Sequence, residues 1–181
     1  MTLVARSLST DKRFFGVEEG VVTSVDEELS KHGRVKVKLV RRDDQMELEC
    51  RMCNSQAGND YGFFFVPEVD DEVLVAFIQG DMRLPVILGG MYNGVDKPPA
   101  AHPRLRRIQS VNGHRISFID AKESHGSKGA LVIEDAHGNT VSMSNGKIVI
   151  KSVAILEIDA PLITLQGPGY KRVVAPSNNP I

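Results

Sequence analysis

The chain has no tryptophan, and Phe and Tyr together supply only 6% of its 181 residues. Aromatic platforms of the kind that stack single-stranded nucleic acid are therefore scarce. Neither sign of charge is in excess, with 22 Lys and Arg against 23 Asp and Glu. That balance argues against a general electrostatic grip on nucleic acid or acidic membranes. No apolar run approaches the roughly 20 residues that span a bilayer. The opening MTLVARSLSTDKRFF lacks a continuous apolar stretch followed by small residues. The expectation is a chain made in the cytoplasm without a secretory signal.

Cysteine is nearly absent too. Cys50 and Cys53 have the C-x-x-C spacing of zinc and redox sites. A structural zinc would need a second ligand pair, and the sequence offers none. Met46, Leu48, Cys50 and Met52 alternate with Glu47, Glu49 and Arg51, which places the motif in a strand and sends the two sulfurs to opposite faces. Both cysteines read as structural. Glu47 and Glu49 lie two apart on the polar side of that strand, where solvated carboxylates are expected rather than a glycosidase pair. His102, His114, His125 and His137 each stand alone in a linker or beside a turn glycine. No catalytic residue, metal ligand or cofactor is expected.

What the chain does have is β-pattern. In residues 66–93, VPEVDDEVLVAFIQGDMRLPVILGGMYN, Val69, Val73, Val75 and Phe77 alternate with acidic residues, a period of two that marks a half-buried strand. Gly80, Asp81 and Pro85 predict a turn into a second strand, and Gly89-Gly90 a second turn. Ile78 and Val86-Ile87-Leu88 are apolar on both faces, which predicts cover on both sides. Upstream, GVVTSV, RVKVKLV and MELECRM read as further strands, with a loop marked by Asp26-Glu27-Glu28 and His32-Gly33. Five or so short strands in about 80 residues predict a small closed barrel over residues 16–94. Residues 1–15 read as an arm.

Three prolines in nine positions make residues 95–103 an extended linker. Arg104-Leu105-Arg106-Arg107 reads as a solvated basic face closing that linker at residue 107. From 108 to 166 the pieces HRISFID, ALVIED, NTVSMS, KIVIKS, AILEID and LITLQG are set off by Gly-containing turns. This is an approximate repeat of six to ten residues. Ile148, Ile150, Leu156, Ile158 and Leu162 keep one alternating face apolar. Such pieces are too small to bury that face alone, and open edges invite aggregation. A small single-chain sandwich is one solution. Association of three copies into an intertwined β-helix is the other, and is favoured, with these five residues as the trimer core. At about eight residues per strand and ~4.8 Å per layer, that shaft would be roughly 40 Å long. Residues 167–181 leave the alternation and are expected to fray or cap the open end.

Six pieces in order carry a family resemblance: a loosely matched GVV within residues 16–22, GRVKVKL (33–39), AG-x-x-YG (57–62), VPEVDDEVLVAF (66–77), GD-x-x-x-PVILG (80–89) and YN (92–93). Together they resemble the OB-fold domain of phage baseplate spike proteins and type VI secretion VgrG proteins. More weakly, SxxGHxIxFxD (110–120) and D-x-x-GN (135–139) resemble the family's β-helical needle. The resemblance implies an all-β chain, an OB barrel followed by a trimeric needle. It further implies a structural spike of a contractile injection machine such as a phage tail or R-type bacteriocin, non-enzymatic and free of cofactors. The implied partners are two sister copies, a separate hub protein above the OB domain, and a PAAR-type tip protein. The tip contact is expected at Tyr170, Lys171, Arg172, Val173 and Val174. The target membrane would be contacted mechanically. The family's apical His-x-His iron site has no counterpart in the final residues. An OB-fold single-stranded nucleic-acid-binding protein and a wall-degrading enzyme are the competing classes.

Overall fold

The computed structural model describes residues 13–41, 47–122 and 126–174, with the side chains of 170–174 excepted. The chain divides between Pro98 and Pro99 into two compact units.

In the first unit, β1 (Val17–Ser24), β2 (Arg34–Leu39), β3 (Glu47–Met52), β6 (Glu72–Phe77) and β7 (Pro85–Gly90) close a barrel in the order β1-β2-β3-β7-β6. All neighbours are antiparallel except β3 and β7, which run parallel. Alternation explains the interior. Val35, Val37 and Leu39 from β2, Leu48 and Cys50 from β3, and Val73, Val75 and Phe77 from β6 all point inward with Val22 and Ile87. Val69 lies outside the strand and is exposed. Phe14 meets Phe77 edge-on at 5.7 Å between ring centroids, and its N–H donates to the Gly80 carbonyl at 2.9 Å. Residues 1–12 of the expected arm are outside the described residues.

Local chemistry accounts for the connections. A short helix α1 (Glu27–Lys31) replaces the loop expected after β1, because Asp26 accepts the Leu29 N–H at 2.9 Å as an N-cap. The segment AG-x-x-YG is a small hairpin of β4 (Ala57–Gly58) and β5 (Tyr61–Gly62). A Cβ on Gly58 would lie 2.3 Å from the ring of exposed Tyr61, so the tyrosine packs over Gly58 in a position that a side chain there would displace. At the GD-x-x-x-P turn, Gly80 takes φ +74° and the Asp81 carboxylate accepts the Arg83 backbone N–H at 3.0 Å. Buried Pro85 then opens β7. Gly89 and Gly90 are not a turn. They continue β7 opposite Leu74 and Val73, past a register shift that skips Leu88. Leu88 and Ile78 are exposed in the single chain, so the expected two-sided cover is not seen there.

The second unit holds an antiparallel meander: β8 (Leu105–Gln109), β9 (Arg115–Ile119), β10 (Ala130–Glu134), β11 (Thr140–Ser144) and β12 (Lys147–Lys151), paired in chain order. A separate hairpin follows, β13 (Ile163–Gly167) with β14 (Tyr170–Val174). Three expectations are corrected. The linker does not run to 107, since Leu105–Gln109 is a strand whose alternation is masked by Arg106 and Arg107 on opposite sides. AILEID forms no strand; residues 152–162 contain bends and no regular secondary structure. Strand structure does not stop at 167 either: the Pro168-Gly169 turn sends the backbone of residues 170–174 back along β13. Gly169, at φ +80°, supplies the reversal.

Candidate functional site

Register turns the meander into two faces. Residues directly opposite one another across the strands share a face. One row runs Arg106, Phe118, Leu131, Met143, Ile148; two positions along each strand, a second runs Ile108, Ile116, Ile133, Val141, Ile150. Nine of these ten positions are apolar, and all ten lie on one side of the sheet. None is buried: Ile133 on the central strand is 44% exposed, and Ile148 and Ile150 on the edge strand are 67% and 57% exposed. The lone charge, Arg106, sits on edge strand β8 and is ion-paired to Asp120. In a soluble chain an isoleucine at the centre of a five-stranded sheet is ordinarily covered, and a contiguous apolar patch of this kind marks an interaction surface.

The reverse side is chemically different. Arg115 and Glu134, opposite each other, form a two-point ion pair at 2.6 and 3.1 Å. Arg107 Nε donates to the Ser117 hydroxyl at 3.0 Å and its other nitrogen to the Pro99 carbonyl at 3.1 Å, leaving Ser117 buried. Lys147 and Lys151 end β12 on this side. The sheet is thus sided, with one face almost wholly hydrocarbon and the other mixed, where Leu105, Ile119 and Val132 stand among the Arg115–Glu134 pair, Arg107, Ser117 and the two lysines.

The two weaker motifs of this unit explain themselves as turns that hold the face in place. In SxxGHxIxFxD, the Ser110 hydroxyl accepts the His114 N–H at 3.1 Å and Gly113 takes φ +93°. Ile116 and Phe118 then project onto the apolar face, and Asp120 is the partner of Arg106. In D-x-x-GN, the Asp135 carboxylate accepts the N–H groups of His137 and Asn139 at 2.9 and 2.8 Å and the Asn139 amide at 2.6 Å. The Asn139 side chain above all holds the Asp135 carboxyl below its usual range.

Of the sequence-predicted core residues, Ile148 and Ile150 stand on this face. Leu156, Ile158 and Leu162 lie in the strandless segment, each more than half exposed. The face also includes Ile108, Ile116, Phe118, Leu131, Ile133, Val141 and Met143, which the sequence reading left out. Their signal was present as the apolar alternation of each piece, but it becomes one face only once the hairpin registers are known. The backbone of Tyr170, Lys171, Arg172, Val173 and Val174 forms β14; their side chains lie outside the described residues, as do residues 175–181.

The barrel exterior is sided as well. Val17, Ala76 and Val86 stand opposite one another across β1, β6 and β7, with Leu74 and Leu88 nearby, as an apolar strip. On the exterior of β2 and β3, Lys36 faces Glu49 and Lys38 faces Glu47, while Arg34, opposite Arg51, approaches Glu49 at 3.6 Å. Tyr61, Phe63, Phe64 and Phe65 are exposed beside the β4–β5 hairpin. Cys50 is buried, and burial pushes its thiol up to about 12, whereas Cys53 is exposed beyond the end of β3. Among the described residues no three His, Cys, Asp or Glu gather where a metal could be held. No helix of the described residues is long and apolar enough to cross a membrane.

Residues 18–92 match the family described as the type VI secretion system/phage-baseplate injector OB domain. The barrel is an injector OB domain, and the chain is VgrG-like. Three relatives illustrate the likeness. The actin cross-linking toxin VgrG1 of Vibrio cholerae is 30% identical over 59% of this chain and 10% of its own length. The type VI secretion system spike protein VgrG2a of Pseudomonas aeruginosa is 32% identical over 53% of this chain and 11% of its own. The spike protein VgrG5 of the same organism is 31% identical over 70% of this chain and 16% of its own. The VgrG5 match exceeds all the residues up to 92, so it runs on into the second unit. The chain spans between a tenth and a sixth of the length of these VgrG relatives.

Proposed function

We propose that this chain is the structural central spike of a contractile injection machine, a phage tail, an R-type bacteriocin or a related device, and works as a trimer. The observation that carries the reading is the uncovered apolar face of the β8–β12 sheet. Three copies arranged around an axis with these faces inward would remove it from water and leave the Arg115–Glu134 side outside. Burying the exposed half of one isoleucine contributes about 1 kcal/mol, and each copy brings several. A shaft of packed sheets separates only when many contacts break together, which gives resistance to force rather than mere equilibrium stability.

On this reading the injector OB barrel joins the shaft to a separate hub protein. The C-terminal hairpin, with Tyr170, Lys171, Arg172, Val173 and Val174, meets a PAAR-type tip protein. The work at the target membrane is mechanical, with no catalytic residue and no cofactor. The pairing of Lys36 and Lys38 with Glu49 and Glu47, the absence of tryptophan and the overall charge balance support this over a single-stranded nucleic-acid role, which calls for a basic groove with stacking platforms. Native mass measurement of the full chain tests the reading: a three-copy species that survives mild detergent is expected, and a stable single-chain species overturns it.

A further inference from the structure

We propose that the barrel carries a binding site for a short oligosaccharide bearing a carboxylate, in the recess between the α1–β2 corner, the end of β3 and the β4–β5 hairpin. The site goes beyond the spike reading and does not depend on it. The recess holds about 650 Å³ and belongs wholly to the first unit. That volume is within the range of small-ligand sites.

Its lining is of three chemical kinds. Tyr61, Phe63 and Phe64 are the aromatic part, each more than half exposed and none a member of the barrel core. They nonetheless stand on fixed backbone. The Phe63 N–H donates to the Gln56 carbonyl at 2.9 Å, and Gly62, at φ +139°, permits an approach in which a Cβ would lie 2.4 Å from that oxygen. An aromatic ring held in this way offers its electron-rich face to the C–H side of a sugar. Asn54, Gln56 and Asp60 are the polar part, and their amide and carboxylate groups are the donors and acceptors that match sugar hydroxyls.

The third kind is cationic. Lys31 and Arg51 line the recess together with His32. Among the described residues neither Lys31 nor Arg51 is ion-paired. Arg51 stands directly opposite Arg34 on β2, a like-charge pairing that costs the sheet stability and that a bound anion would offset. Backbone bonds fix this corner: the Met52 N–H donates to the Gly33 carbonyl at 2.9 Å, and the Gly33 N–H to the Ser30 carbonyl at 2.9 Å. One anionic group is all that the surroundings admit. The adjoining recess shares His32 and Arg51 but is also lined by Asp26, Glu28 and Glu49. A nucleic-acid strand, charged at every phosphate, would be repelled along that track and at Asp60. A sugar chain with hydroxyls throughout and a single carboxylate would not. The place agrees with the chemistry, since OB barrels take oligosaccharides as well as oligonucleotides where the first connection meets strands 2 and 3.

The test titrates the full chain with two single-carboxylate probes, sialyllactose and the disaccharide of N-acetylglucosamine and N-acetylmuramic acid, each beside its neutral methyl ester. At least one acid is expected to shift the backbone amide signals of Arg51, Gly58 and Gly62. Its ester should bind about tenfold more weakly, as for loss of a hydrogen bond to a charged group. Arg51→Gln should bring the acid down to the affinity of the ester and leave the ester unchanged. Tyr61→Ala should weaken both severalfold. No shift with either acid overturns the site, and equal binding of acid and ester overturns the role of the cations. A response of the same amides to a single-stranded thymidine oligonucleotide or a glutamate-rich peptide, but to neither sugar, overturns the choice of ligand. The native mass of the chain reads the spike proposal separately, and three copies are expected whichever way the titrations fall.

Discussion

Ile116 and Ile133 stand directly opposite each other on the second and central strands of the β8–β12 sheet, and both are more than a third exposed. Cross-strand isoleucine pairs in such a position normally form the middle of a core. Replacing Ile133 by aspartate puts a carboxylate on the face that three copies would bury, where an unpaired charge is strongly unfavourable. The expected outcome for Ile133→Asp is loss of the three-copy species with the barrel still folded. Native mass and the chemical shifts of Val35, Val37 and Val75 would read the two parts separately. Retention of three copies by this variant would mean that the face is not the contact.

Gly20 explains how β1 can cross the barrel so closely. A Cβ there would lie 2.4 Å from Val37 Cγ1 and 3.4 Å from Val75 Cγ2. The first distance is well inside contact, and Val37 is fully buried with no room to retreat. Gly20→Ala is expected to destabilise the barrel by about 1–3 kcal/mol, the range for overpacking a tight core. Chemical denaturation followed by near-ultraviolet signals should show a lower midpoint with an unchanged slope. The control Gly94→Ala, where a Cβ meets nothing within 4 Å, should leave the midpoint within about 0.5 kcal/mol of the original.

The barrel was legible in the sequence because its strands are one-sided and their alternation survives inspection: Val35, Val37 and Leu39, then Val73, Val75 and Phe77, are the core. Its failures were local. Gly89-Gly90 looked like a turn because glycine pairs usually are, and only the β6 pairing reveals a bulge with the strand continuing beyond it. Asp26 capped a helix too short to leave a period. In the second unit, five of the six apolar pieces formed strands. The piece at 154–159 did not, because strand formation needs a neighbour's backbone as well as alternation, and the chain turns away from its own edge at Ser152. The apolar face was only partly legible. Ile148 and Ile150 belong to a run readable by itself, whereas adding Ile116, Ile133 and Met143 requires the register of four hairpin pairings.

Asp81 and Arg83 give the GD-x-x-x-P turn an acid sensitivity that can be read at one residue. The Arg83 guanidinium approaches the Asp81 carboxylate at 2.7 Å, and the Arg83 backbone N–H donates to the same carboxylate at 3.0 Å. The Arg83 side chain first, then its N–H, lower the Asp81 carboxyl to about 2. A carboxyl depressed in the folded state favours folding above its unfolded value of about 3.9. That contribution declines as pH falls through the window from about 4 to about 2. Because the turn is solvent-exposed, salt should weaken the ion-pair part and leave the backbone part. A carbon-detected titration of the Asp81 carboxyl is therefore expected to give a midpoint near 2. In Arg83→Ala, which removes the guanidinium and keeps the N–H, the midpoint should move upward part of the way to the ordinary value. In Asp81→Asn the backbone turn should persist, since the amide oxygen still accepts the Arg83 N–H, and the acid-dependent step at this site should vanish. An unchanged Asp81 midpoint in Arg83→Ala would assign the depression to the backbone contact alone.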